Sequence, residues 1–97
     1  MDVKKRKDRE ILKIEGPITI CRIGELKERF MNSLEKNEVT DLDVMDVQEC
    51  DSSGVQLLLS AIRSARETGK RINISGQSKA VEDALFRAGI KPEMIIY

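Results

Sequence analysis

The chain predicts an α/β fold: a single small domain with a mixed β-sheet of four to five strands and helices packed mainly on one face. Three observations predict it. Short β-branched runs alternate along the chain with stretches of helical periodicity. Those helical stretches run to about ten residues or more, the length that connects strands of one sheet through a crossover. Residues that start and stop helices, Ser and Gly above all, stand at the boundaries between the two kinds of segment.

Residues 1–8 (MDVKKRKD) are polar and are expected as a flexible basic N-terminus, with the domain spanning residues 9–97. Ile11, Leu12 and Ile14 mark a first strand that closes at the Gly16-Pro17 turn. Ile18, Thr19 and Ile20 are β-branched throughout and predict a second strand. From Ile23 the period changes: Ile23, Leu26, Phe30 and Leu34 share one helix face, and the helix fades near Asn37. Leu42 and Val44 alternate with Asp41 and Asp43, as a strand with one wet face would. Val55, Leu58, Leu59, Ile62 and Ala65 form the stripe of a second helix that stops at Gly69. Residues 70–75 (KRINIS) read as another strand. Ser78 then opens a third helix carrying Val81, Ala84, Leu85 and Ala88, and Gly89 ends it. Met94, Ile95 and Ile96 suggest a last short strand.

Composition excludes several classes of function. Seventeen basic residues balance seventeen acidic ones, so the basic excess that phosphate backbones require is missing and nucleic acid is not expected as a partner. The charge is unevenly placed, with Lys4, Lys5, Arg6, Lys7, Arg9 and Lys13 early and Glu35, Glu38, Asp41, Asp43, Asp46, Glu49 and Asp51 in the middle. Such a division can steer a partner, although two ordinary solvated surfaces would look the same. Cys21 and Cys50 are isolated and the chain has no histidine, so neither a disulfide framework nor a metal site is expected, and no cofactor is implied. No apolar run approaches the ~18 residues of a membrane span, which makes direct membrane insertion unexpected and the cytoplasm the default location.

The most informative stretch is ECDSSGVQLLLSA, residues 49–61, where hydroxyls sit between an acidic segment and an apolar helix. A strand-to-helix turn exposes unpaired N–H groups and the positive end of the helix dipole. Asp51 or Ser52 can cap those groups, and Gly54 permits close packing. Capping alone would therefore explain the residue types. A nucleophilic serine needs a base held by a carboxylate; the chain has no histidine, and the adjoining helix has no lysine. Enzymatic hydrolysis is not expected, and no catalytic residue is assigned. Phosphate acceptance remains open, because phosphorylation adds about −1.5 to −2 charges and a helix N-terminus tolerates them.

With these residues in view, the chain resembles the STAS domain family, whose founding members are bacterial anti-sigma factor antagonists. The resemblance runs from about Glu10 to Ile90. It rests on Asp51-Ser52-Ser53-Gly54-Val55 after an acidic strand, on Gly16-Pro17-Ile18 after the first strand, and on residues 70–74 (KRINI) ahead of Ser78. The resemblance implies a non-enzymatic, cytoplasmic partner-switching protein. Its partner would be an anti-sigma factor of the serine-kinase type, which phosphorylates the antagonist. Carried over by position, Ser53 is the implied phosphorylation site and Ser52 a lesser candidate. Asp51, Ser52, Ser53, Gly54, Gln56 and Leu57 are the implied partner-binding residues.

Gln56 departs from the antagonist pattern, which carries a second glycine there. The run GVQLLLSAIRSARETGKRINI is similar to a branch found in chemosensory clusters or in a lipid-transport complex beside an ABC ATPase. In that branch the domain is an accessory docking subunit without phosphorylation. Leu57 is either an exposed contact beside the serines or the completion of a wide apolar face.

Overall fold

The computed structural model describes residues 9–76 and 78–90. Its elements are β1 (Arg9–Lys13), a short 3-10 turn (Ile20–Arg22), α1 (Ile23–Lys36), β2 (Val39–Asp43), α2 (Ser52–Glu67), β3 (Arg71–Ser75) and α3 (Lys79–Arg87). The expected flexible N-terminus and the expected last strand at Met94–Ile96 lie outside the described residues.

Among the described residues the sheet has three strands in the order β1-β2-β3, all parallel. Leu12 pairs with Leu42, and Leu42 with Ile74, so each strand puts the same parity of residues toward the helices. Crossovers between parallel strands are right-handed almost without exception, so two that advance in the same direction leave both helices on one face. α1 and α2 accordingly pack against each other, and α3 against α2. The small α/β domain with helices on one side is as expected, and its pairing is parallel throughout these residues.

The expected second strand is not one. Ile18 makes a single parallel bridge to Cys50, and the backbone then turns into the 3-10 helix at Ile20. The β-branched run Ile18–Ile20 has the composition of a strand, but Gly16-Pro17 before it and the helix from Ile23 after it leave no length to extend a ladder.

The core holds Ile14, Ile18, Leu26, Phe30, Leu42, Leu58 and Ala65, all within 1% of complete burial. α2 ends as the sequence requires. Lys70 N–H donates to the Ala65 carbonyl and Gly69 N–H to the Arg66 carbonyl, with Gly69 at φ 76°, a Schellman arrangement that only glycine adopts readily. The same pair of bonds closes α3 at Gly89.

The opposite sheet face was expected to be wet, yet Asp41 on β2 is only 7% exposed. Arg9 on β1 donates Nε–H to Asp41 Oδ2 at 2.9 Å, and Asn73 on β3 donates to Oδ1 at 2.9 Å. Three strands are thereby joined through one carboxylate.

Candidate interaction site

Three loops leave the same end of the parallel sheet, which is the end where α/β folds place their sites. Two of them, residues 14–22 and 44–51, run side by side and meet at the Ile18–Cys50 bridge. Ile18 N–H donates to the Glu49 carbonyl at 2.8 Å, and Asp51 N–H to the Ile18 carbonyl at 3.3 Å. The start of α2 is thus bound to the loop that follows β1.

Asp51 is the N-cap. Its Oδ1 accepts from Gly54 N–H at 2.9 Å, the bond that the residue types at this junction anticipate. Its Oδ2 accepts from Ile20 N–H at 3.2 Å, 31 positions away in the chain. One carboxylate therefore holds both the helix and the 3-10 turn. The choice left open between Asp51 and Ser52 as cap resolves to Asp51, which frees Ser52.

Gly54 is buried, and its role is steric. A Cβ there would collide with the Ile18 carbonyl oxygen and stand 3.0 Å from Cys50 Sγ. Burial and the neighbouring Asp51 charge push the Cys50 thiol from its ordinary 9.0 up to about 11. Neither cysteine is bonded; Cys50 is buried and Cys21 exposed.

Of the residues expected to bind a partner, Ser52 and Gln56 are exposed, and Asp51 and Ser53 are half-buried. Leu57 is different: at 7% exposure it lies in the core with Leu58 and Ala61, completing the wide apolar face of α2. It offers no side chain to a partner. Among the described residues neither serine hydroxyl makes a hydrogen bond, and no group of three or more His, Cys, Asp or Glu side chains could hold a metal ion.

A second wall of the site, the 3-10 turn, is invisible to local sequence reasoning. Arg22 fixes it, with Nη1 donating to the carbonyls of Glu15 and Pro17 at 2.7 Å each and Nη2 to Glu25 at 3.1 Å. The hydrogen bond and charge of Arg22 hold the Glu25 carboxyl below its ordinary range. The turn presents Ile20 to solvent at 67% exposure.

This sheet, the helices on one side of it and the Asp-Ser-Ser-Gly junction define a STAS domain. The family model described as "Mlab, STAS domain" matches residues 1–96, and the chain belongs to this family. Solved structures share the fold. The anti-sigma factor antagonist SpoIIAA in its unphosphorylated form is similar at TM-score 0.71 and 16% identity, covering 88% of this chain and 76% of that one. A sulfate transporter family protein from Wolinella succinogenes matches at TM-score 0.70 and 28% identity, over 84% of this chain and 67% of the other. The STAS domain of a SulP transporter from Vibrio cholerae matches at TM-score 0.67 and 23% identity, over 93% and 70%. No helix among the described residues is long and apolar enough to cross a membrane.

Proposed function

We propose that this chain is a non-enzymatic regulatory module that docks a protein partner through the start of α2, as an antagonist docks an anti-sigma factor of the serine-kinase type. On this reading it works in the cytoplasm, and phosphorylation of Ser53 switches docking off. The observation that carries the proposal is the geometry of the junction. Asp51 supplies the cap, so Ser52 and Ser53 are not consumed by the fold, and their hydroxyls stand at the positive end of a 16-residue helix. A phosphate there would add charge at the docking edge without removing a bond that holds the domain together.

A second reading has its own support. The family model that matches is the Mlab type, and Gln56 replaces the antagonists' second glycine. Both favour an accessory subunit of an ABC-type lipid transporter or a chemosensory complex, docked through the same edge without phosphorylation.

One experiment separates the two. The partner is recovered by pull-down with the wild-type chain and identified by mass spectrometry. If it is a serine kinase, incubation with ATP adds one phosphate mass, located by fragmentation at Ser53 and absent from Ser53→Ala; a phosphate on Ser52 would move the switch one residue. No mass shift, together with an ABC ATPase as partner, selects the second reading.

A further inference from the structure

We infer that the docking edge is built around an apolar anchor, Ile20, which Asp51 positions, and that the partner meets it with an apolar pocket flanked by Lys or Arg. This rests on the docking reading above and adds the chemistry of the partner.

Four observations lead there. Ile20 is 67% exposed, yet its backbone is fixed: its N–H is held by Asp51 Oδ2 at 3.2 Å, and Arg22 N–H closes the turn on the Thr19 carbonyl at 2.8 Å. The Arg22 guanidinium further ties the segment to the Glu15 and Pro17 carbonyls. An apolar side chain on so constrained a backbone loses little entropy on binding, the condition under which one residue becomes an anchor. The same carboxylate caps α2, so Ile20 and the serines are held in one fixed relation.

The charge around the anchor states the partner's sign. Glu15 and Glu49 on the two adjoining segments are exposed and enter none of the ion pairs among the described residues. Of the cations nearby, Arg22 is paired with Glu25 and bonded to the two carbonyls, Lys13 is paired with Asp46 and also feels Glu15, and the charge of Arg87 on α3 acts on Cys50 beside Glu49. With Glu15, Glu25, Asp46, Glu49 and Asp51 set against Lys13, Arg22 and Arg87, the margin around the apolar centre carries an acidic excess, complementary to a basic rim.

The probe is the partner identified in the pull-down above, purified; its recovery by itself supplies only the reagent. Affinity is measured by calorimetry at two salt concentrations. Ile20→Ala should weaken binding by about tenfold or more, Ile20→Met should restore most of it, and Met31→Ala on α1 should leave it unchanged. Glu49→Lys should weaken binding and flatten its salt dependence. Asp51→Asn separates positioning from folding, because the amide oxygen can still cap Gly54 while the amide nitrogen cannot accept from Ile20. In that variant the Ile20 amide should exchange faster with solvent, Gly54 should stay protected, and affinity should fall.

Binding within about twofold of wild type for Ile20→Ala, with Gln56→Ala or Ser53→Asp weakened, overturns the anchor and leaves the docking reading standing. If none of these variants weakens binding, both fall. A chain that is dimeric by light scattering and becomes monomeric with Ile20→Ala also overturns the inference, since the occupant would then be a second copy.

Discussion

Gly54, at the start of α2, lies against the backbone carbonyl of Ile18, with no room between them for a methyl group. Because Ile18 is completely buried and bridged to Cys50, the carbonyl cannot withdraw without disturbing the core. Gly54→Ala should therefore destabilise the domain by about 1–3 kcal/mol, even though alanine is the better helix former in isolation. The midpoint of urea unfolding reports this; a rise or no change would mean that the loop yields easily.

The cap predicts a graded series. Asp51→Ala loses the bonds to both Gly54 and Ile20, and should cost about 1–2 kcal/mol in urea unfolding. Asp51→Asn keeps a good N-cap and should lose less than half of that. Equal losses in the two variants would show that the Ile20 bond dominates the cap.

On the opposite face, Asp41 depends on two donors from neighbouring strands. Arg9 is 59% exposed at its side chain, so solvent screens the pair, and Arg9→Ala should cost only about 1 kcal/mol. Asn73→Ala should cost a similar amount. Removing both strands a 7%-exposed carboxylate, and the double variant should lose clearly more than the sum of the two single losses. Strict additivity would indicate that Asp41 finds water instead.

The cysteines predict a two-phase reaction with a thiol reagent at pH 8. Cys21 is exposed and should react at once. Cys50 is buried, and a thiol held at about 11 has a thiolate fraction of only about one in a thousand at that pH. Its phase should be slow and should merge with the fast one in denaturant. The stability consequence has the same sign. The folded value lies above the ordinary 9.0, so the contribution is complete below about pH 9 and is lost as pH rises from there to 11. Cys50→Ala, compared with wild type in urea at pH 7 and pH 10, should remove that part of the decline.

Much of the architecture was legible because it is written in local patterns. The helix from Ile23 begins where the period changes, Gly69 and Gly89 stop α2 and α3 with the bonds their conformation allows, and Ser78 caps Val81 N–H at 3.2 Å. Ile18–Ile20 misled for the same reason that it looked clear. Residue preference for strand was strong, but a ladder needs a neighbour over several residues, and only Cys50 supplies one. Leu57 lay at the edge of its helical stripe, where the width of the buried face depends on how closely α1 and α3 approach.

The sequence by itself determined the alternation of strands and helices, the helix ends, and the presence of hydroxyls at a helix start, since each follows from residues within a few positions of one another. Only the tertiary structure decided that Asp51 rather than Ser52 is the cap, that Gly54 is there for the Ile18 carbonyl, and that Ile20 belongs to the same edge as the serines. Those decisions rest on contacts between segments about 30 residues apart, such as the bond from Ile20 to Asp51. Local periodicity carries no record of them, because they form only when the sheet brings its loops to one end.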